Sequence, residues 1–351
     1  MVSRPLVSIL MPTHCRPDVI GFAIESVLAQ TFGDFELLVV GDGAAPGTVE
    51  AIRRFDDPRI RFLDLPKAPH FGYANRNIAL RESRGELIGF AADDDLLFPD
   101  HLEVLIRSLA DGVITYSQAL WVSTDGIAAP FLTNLEFRDE FEAFRHGNSI
   151  AASCFLYRAD ALPHRDAWPE DVPAAADWHL WHSIIAANSS SPISYCRTPT
   201  VFHFSARRKA SRHSGMAQLA EYLDIADHAP WWPPTLRVPV ASDKTEQQAY
   251  SELMRSDPDW CQRIRRDSGD LVARLAWDDI LGGRSTIRDV SNKLAETEAM
   301  LAAKEAELAK HARHAESAAR IEPHRARKTI AQRIGAEIRR IPRNLARLRA
   351  G

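Results

Sequence analysis

The chain has 351 residues, 45% hydrophobic and 26% charged, which is the composition of a globular protein and excludes a disordered or fibrous one. The net charge of −4 is uneven, because residues 321–351 carry +7 and the remainder −11. Four scattered cysteines without CxxC spacing argue against a zinc site or a disulfide framework and favour a reducing, cytoplasmic compartment. No apolar run approaches the roughly 20 residues of a membrane span, and the N-terminus lacks a signal-peptide pattern. We therefore expect any membrane contact to be peripheral, at the inner face of the plasma membrane.

Short apolar runs alternate with helical patterns over the first hundred residues, which predicts the βαβ units of a parallel sheet and an α/β fold. The predicted strands are Leu6–Met11, Phe35–Val40, Ile60–Leu65 and Leu87–Ala91. The predicted helices between them are Asp18–Ala29, Pro46–Phe55 and Tyr73–Ser83.

The middle of the chain has a mixed pattern. Two further strands are predicted at Ile114–Ser117 and Leu120–Ser123, and the following Asp125-Gly126 indicates a tight turn. Ser153–Tyr157 is strand-like, and Trp178–Ala187 is helical.

Beyond Pro234 the pattern is helical. The predicted helices are Glu246–Arg255, Pro258–Arg266, with Asp257 as its cap, and Gly269–Leu281. We expect three parts: an α/β domain over residues 1–230, a helical extension over 231–285, and a long helix with a basic tail over 286–351.

Leu294, Leu301 and Leu308 lie seven residues apart in an Ala/Glu/Lys-rich segment. This predicts a helix, but fewer than about four heptads leave a short coiled coil open beside a single helix. In the basic tail, one apolar stripe comprises Ile330, Ile334, Ile338, Ile341, Leu345 and Leu348. The tail has no aromatic residue, which disfavours nucleic acid and leaves two alternatives, an anionic membrane surface or a plain surface helix.

Asp93, Asp94 and Asp95 follow the fourth predicted strand directly. Three neighbouring carboxylates raise one another's pKa unless a cation lies among them. The triplet therefore predicts a divalent metal, and oxygen ligands select Mg²⁺ or Mn²⁺.

Other polar side chains follow neighbouring strand ends, where parallel sheets bind ligands. Asp42 ends the second strand and could accept a hydrogen bond from a base or a ribose, although a simple turn explains it equally well. Arg76 begins the third helix, where a guanidinium and free amides bind phosphate, although it could also belong to a surface capping turn. Together these residues predict a nucleotide site.

Five segments in this order resemble the N-terminal signature of the inverting family-2 glycosyltransferases, which have the GT-A fold. They are Val7 to Arg16, Ser26 to Phe32, Glu36 to Gly43, Ala74 to Asn77 and Phe90 to Leu102. Thinner similarity continues to about residue 215. The resemblance implies a GT-A nucleotide-diphospho-sugar transferase fold with a mixed, mostly parallel central sheet, followed by a helical C-terminal extension.

The resemblance also implies roles at matching positions. Pro12 and Thr13 would begin the nucleotide-binding loop, Asp42 would contact the base, and Arg76 would lie beside the base and phosphates. In the acidic motif one carboxylate would touch the ribose and another the metal, with Asp93 and Asp94 assigned to the nucleotide. The metal ligands would be Asp95 and His203, the latter being equally compatible with a core histidine.

Asp177 matches the family's general base, which takes the proton of the acceptor hydroxyl. The alternative is an aspartate that caps a helix. Trp178 and Trp181 are expected in the core. Gly41, Ala92 and Ala176 stand where many members carry an acid, so the chain departs from the pattern at three positions.

The resemblance implies transfer of a sugar from a nucleotide-sugar donor, with a UDP-sugar favoured, to a glycan or lipid-linked acceptor in surface polysaccharide synthesis. The three departures motivate an alternative, a catalytically degenerate membrane-associated assembly factor. A sugar-nucleotide pyrophosphorylase is disfavoured, because the segment Pro12–Pro17 has no glycine for a phosphate loop.

Overall fold

The structure is a computed structural model, and it describes residues 4–131, 133–191, 193–204 and 217–319. The chain divides between Arg274 and Leu275 into two compact units. The strands are β1 (Val7–Thr13), β2 (Phe35–Asp42), β3 (Ile60–Leu65), β4 (Leu87–Phe90), β5 (Leu96–Leu97), β6 (Ile114–Val122), β7 (Ala128–Phe131), β8 (Phe155–Arg158) and β9 (Ser194–Phe204).

Helices precede or connect most of these strands in the described part. They are α1 (Ile20–Leu28), α2 (Pro46–Arg53), α3 (Tyr73–Glu82), α4 (His101–Leu109), α5 (Arg138–Phe144), α6 (Ala176–Ala187), α7 (Ala217–His228), α8 (Glu246–Ser256) and α9 (Trp260–Ala319).

One mixed sheet forms the centre of the first unit, with strand order β3-β2-β1-β4-β8-β6-β9-β5 and β7 paired to β6. The strands β3, β2, β1 and β4 are parallel, because helices cross over between them. Strand β8 pairs antiparallel with both β4 and β6, whereas β9 runs parallel to β6. The parallel half places the ends of β1, β2 and β4 at one sheet edge.

The core lies on both faces of this sheet. Every residue of β2 is buried, which explains its continuous apolar sequence, since parallel strands are covered on both sides. The acid within β2, Glu36, is 2% exposed and is compensated by ion pairs with Arg61 and Arg84. Burial is the largest influence and raises the pKa of Glu36, but hydrogen bonds from Ser8, Arg84 and Arg61 outweigh it and lower that pKa.

Two sequence predictions were wrong in detail. The two strands predicted between residues 114 and 123 are the single strand β6, which continues through an irregular register at Gln118. Similarly, Pro258–Arg266 and Gly269–Leu281 are not separate helices, because α9 continues from Trp260 to Ala319. Glycines inside α9 cost helix stability but do not end it.

Within the described residues, no helix is both long and apolar enough to cross a membrane. The predicted amphipathic stripe from Ile330 to Leu348 lies outside the described residues.

Candidate functional site

The ends of three parallel strands form the floor of the candidate site. Thr13 ends β1 beside Gly41 of β2, and the loop after β4 carries Asp93. The Thr13 hydroxyl donates a 2.7 Å hydrogen bond to the Asp93 carboxylate, and both side chains are buried. The sheet therefore brings two residues that are 80 positions apart in the sequence into direct contact.

The Asp42 carboxylate, at the end of β2, is held by several donors. One oxygen accepts 2.8 Å hydrogen bonds from the Ala68 amide and the Asn75 side chain. The other oxygen pairs with the Lys67 ammonium. Gly72 allows the start of α3 to lie close to the Asp42 carboxylate, because an added Cβ would lie 2.4 Å from Asp42 Cγ. Its φ of +74° is also a conformation that favours glycine. Asp42 is thus fixed in place before any ligand binds.

Arg76 contributes a half-buried positive charge one turn into α3. Its guanidinium lies 4.9 Å from the ring centres of Tyr73 and Trp168 and 5.8 Å from that of Phe90. Its buried Nε has no hydrogen-bond partner among the described residues. Burial lowers the pKa of Arg76, and nearby Asp177 is the largest opposing influence. Such a cation, held by aromatic faces with a donor unused, is suited to binding an anion.

The three aspartates of the acidic triplet have different environments. Asp93 and Asp94 form ion pairs with Arg16, at 3.3 and 3.6 Å. Asp95 is 2% exposed and contacts Ser153 and His203 instead. Burial, followed by the charges of Asp93 and Asp95, raises the pKa of Asp94 to about 7. Crowded carboxylates therefore carry unfavourable charge here, as the sequence argument expected.

Asp95 is held between two side chains from distant parts of the chain. One oxygen lies 2.8 Å from His203 Nδ1 on β9, and the other accepts a 2.6 Å hydrogen bond from the Ser153 hydroxyl. Ser153 in turn accepts a 3.0 Å hydrogen bond from the Ala92 amide. The predicted metal ligands, Asp95 and His203, are therefore adjacent.

No group of three or more His, Cys, Asp or Glu side chains within the described residues is arranged to hold a metal by itself. Asp95 and His203 supply one hard oxygen and one imidazole nitrogen, a combination compatible with Mn²⁺ or Mg²⁺ when further oxygens complete the coordination. With only these two protein ligands, an ion would need oxygens from a bound ligand or from water to complete its coordination.

Asp177 is the second residue of α6 and does not cap it, since Ala175 occupies the cap position. Asp177 is therefore not the N-cap residue, although its carboxylate interacts with backbone amides of the first turn of α6. Burial raises the pKa of Asp177, while the Trp178 amide and the charge of Arg76 oppose this shift. Its carboxylate also accepts a 3.4 Å hydrogen bond from the side-chain nitrogen Nδ2 of Asn148.

Two adjoining cavities connect these groups. The first, of about 410 Å³, is lined by Pro12, Thr13, His14, Cys15, Arg16, Asp42, Lys67, His70, Phe71, Arg76 and Asp93. The second, of about 330 Å³, is lined by Pro12, Phe71, Tyr73, Arg76, Phe90, Ala92, Asp93, Ala152, Ala174, Ala175 and Asp177. Arg76 and Asp93 border both cavities. Asp94, Asp95 and His203 are in the lining of neither.

Side chains of α8 and of the first turns of α9 contact the loop that carries the acidic triplet. The Gln247 side chain of α8 lies 3.3 Å from the Asp94 carbonyl oxygen and donates to it. Arg265 of α9 forms two 2.6 Å contacts with Asp100, just past the acidic triplet, and lies over the Phe98 ring. This part of the helical region therefore helps to fix the loop that carries the triplet.

Three residues that hold side chains of the candidate site in place had no role in the sequence predictions. Arg16 pairs with the acidic triplet, Lys67 pairs with Asp42, and Ser153 orients Asp95. Arg16 and Lys67 follow strands β1 and β3, so their positions at strand ends could have indicated them. Ser153 is fully buried and carries no such signal in the sequence.

The two tryptophans of α6 pack as expected rather than forming an open platform. Trp181 is buried against Phe155, with ring centres 4.4 Å apart. Trp178 is half-buried and donates a 2.6 Å hydrogen bond to the Phe144 carbonyl oxygen.

Comparison with known proteins gives matches over the α/β part of the chain. Residues 8–165 match the sequence model described as "Glycosyl transferase family 2". Over 193 residues the chain is 28% identical to UDP-Glc:alpha-D-GlcNAc-diphosphoundecaprenol beta-1,3-glucosyltransferase WfgD of Escherichia coli, covering 54% of this chain and 73% of that protein. It is 33% identical over 184 residues to the chondroitin synthase of Pasteurella multocida, covering 50% and 18% respectively.

Among solved structures, S. aureus TarS 1-349 in complex with UDP aligns with a TM-score of 0.45 and 20% identity, over 57% of this chain and 60% of that chain.

Proposed function

Because residues 8–165 belong to glycosyl transferase family 2, we propose that this chain transfers a sugar, with inversion, from a nucleotide-sugar donor to a glycan or lipid-linked acceptor. The family match confirms the resemblance found in the sequence. Together with the mixed sheet and the helical C-terminal region, it confirms the predicted fold class. We propose in addition that the transfer inverts the sugar carbon and depends on a divalent metal.

One observation carries the proposal. Arg76, a cation with an unused donor, borders both cavities together with Asp93, while Asp42 lines the first cavity and Asp177 the second. A donor that spans the two cavities would place its base near Asp42, its diphosphate near Arg76 and its sugar near Asp177. The order of these three residues along the cavities matches the order of the donor's parts.

The first cavity suits a nucleoside. Pro12 and Thr13 form one wall, and Asp42 is fixed at the end of β2, where a carboxylate can accept a hydrogen bond from a base. Arg16 and Asp93 form an ion pair in the lining of this cavity, where Asp93 can contact the ribose, and Arg16 also pairs with Asp94. A UDP-sugar is the favoured donor, in keeping with the UDP-Glc in the name of the relative WfgD.

Asp95 and His203 would hold a Mn²⁺ or Mg²⁺ ion. When bound, the ion would neutralise the diphosphate and stabilise it as a leaving group. Ser153 orients Asp95 by its 2.6 Å hydrogen bond, so the ligand is already in position.

Asp177 is proposed as the general base. Its carboxylate would take the proton of the acceptor hydroxyl while that oxygen forms a bond to the anomeric carbon and the nucleoside diphosphate leaves from the opposite face. Its burial raises its pKa and thereby makes it a stronger base than an exposed aspartate. Arg76 would stabilise the negative charge that develops on the leaving group.

The name of the WfgD relative includes a diphosphoundecaprenol acceptor, which favours a lipid-linked acceptor and a role in surface polysaccharide synthesis for this chain. A site at the cytoplasmic face of the membrane, reached through the basic tail, would suit such an acceptor. We further propose that residues 1–230 form the catalytic domain and that the later helices support it.

A direct test measures release of nucleoside diphosphate from a panel of nucleotide sugars, with Mn²⁺ and a lipid-linked glycan as acceptor. Asp177→Asn should lower kcat by at least about 100-fold, the lower range for loss of a general base, while UDP binding stays within about twofold. Asp171→Asn, at an exposed position before α6, is the matched control and should retain full activity.

Metal-dependent UDP binding without release from any donor would instead identify a degenerate transferase. Full activity in Asp177→Asn would exclude this residue as the base.

A further inference from the structure

The part of α9 that lies within the second compact unit carries exposed apolar side chains at regular intervals. Ile280 is 49% exposed, Ile287 68% and Leu294 40%. Leu301 and Leu308 continue this row on the same helix. Large aliphatic side chains are seldom left exposed in a row along one helix face unless another surface covers them.

The row is longer than the leucines alone indicated. Its five members lie seven residues apart over four heptads, which is the spacing of one of the two core positions of a coiled coil. If the row is placed at the a positions, the d positions are Gly283, Val290, Thr297, Lys304 and His311. Val290 is itself 59% exposed.

The polar d positions favour two strands rather than more. In a two-stranded coiled coil the core is narrow, so the stem of Lys304 can pack while its ammonium reaches solvent. Three or four strands would bury that ammonium away from water, which is strongly unfavourable for an unpaired charge.

Charges beside the row identify the partner. In a parallel, in-register pair, each g position faces the e position five residues later on the other helix. Asp279 would then face Arg284, and Lys293 would face Glu298, each pair occurring twice by symmetry. The other g and e positions bring no like charges together.

These charges are also unused within the chain. None of the four side chains forms an ion pair with a residue in the described part of its own chain. A second copy of the same helix supplies an opposite charge for all of them.

We propose that a second copy of this chain covers the row, in a parallel two-stranded coiled coil over residues 279–311. The protein is accordingly a homodimer with two transferase sites, and its self-association does not depend on which sugar is transferred.

The first test is the mass of the 351-residue chain in solution, measured by light scattering over a range of concentrations. The expected mass is twice the 39.2 kDa of one chain. Leu294→Asp, in the middle of the row, should reduce the mass to that of one chain. Ala299→Asp adds the same charge at an exposed f position and should leave the dimer intact.

Circular dichroism checks that both variants remain helical. A monomeric wild-type protein would overturn the proposal, as would a larger oligomer or a dimer that survives Leu294→Asp. A loss of thermal stability without a change in mass would show that another segment of the same chain covers the row, which also overturns the proposal.

The second test concerns orientation. Lys293→Glu places like charges opposite one another in the parallel register and should raise the dimer dissociation constant several-fold. Adding Glu298→Lys should restore the wild-type value, because the pair is then reversed. A double variant that dissociates at least as readily as the single variant would contradict the parallel register.

Discussion

Gly72→Ala should both destabilise the protein and weaken nucleotide binding, because Gly72 allows the close approach of α3 to Asp42. The residue has φ +74°, a conformation that costs an alanine about 1–2 kcal/mol. Its new Cβ would lie 2.4 Å from Asp42 Cγ, so the carboxylate has to move. Each hydrogen bond lost from Ala68 or Asn75 would cost about 1 kcal/mol. We expect a total loss of about 3 kcal/mol in the free energy of unfolding.

The measurement is urea unfolding of the variant, combined with calorimetric titration of UDP. Gly21→Ala is the matched control, because Gly21 lies in α1 and an added Cβ would meet nothing within 4 Å. Alanine should stabilise that helix by up to about 1 kcal/mol and leave UDP binding unchanged. If Gly72→Ala is as stable as the wild type and binds UDP equally well, the reasoning that links the glycine to Asp42 is refuted.

Two further predictions concern Ser153 and Asp177. Ser153→Ala removes the hydrogen bond that orients Asp95, so the Mn²⁺ concentration for half-maximal rate should rise about 10-fold to 100-fold. Ser183→Ala, at an exposed position, is the control and should leave this concentration unchanged. A titration of the rate with Mn²⁺ measures both effects. Burial raises the pKa of Asp177, and only its deprotonated form can accept a proton. Therefore kcat/KM should increase with pH and then level off, with the midpoint of the rise at a higher pH than the pKa of an ordinary aspartate. A pH profile without this acid limb would argue against Asp177 as the base.

The parallel half of the sheet was predictable because each element has a local signal. β-branched runs give the strands from β1 to β4, and 3.6-residue periodicity gives the helices between them. A second rule, that the carboxyl ends of parallel strands meet at one edge, placed Asp42 and the acidic triplet together. Thr13 was instead implied by the family resemblance.

Other features depend on contacts between distant residues. Strand β6 continues through Gln118 because β9 pairs with it both before and after that residue, and the polar residue itself does not reveal this pairing. Ser153 supports Asp95 from 58 residues away, so no local pattern marks it.

The central claim is that a nucleoside diphosphate binds beside Arg76 together with a divalent ion held by Asp95 and His203. The most direct measurement is calorimetric titration of UDP into the wild-type protein and Asp95→Asn, each with Mn²⁺ and with EDTA. The account predicts that Mn²⁺ tightens UDP binding to the wild type by at least about tenfold, or about 1.4 kcal/mol, and that the difference disappears in Asp95→Asn. Equal UDP affinity of the wild type with and without Mn²⁺ would contradict it.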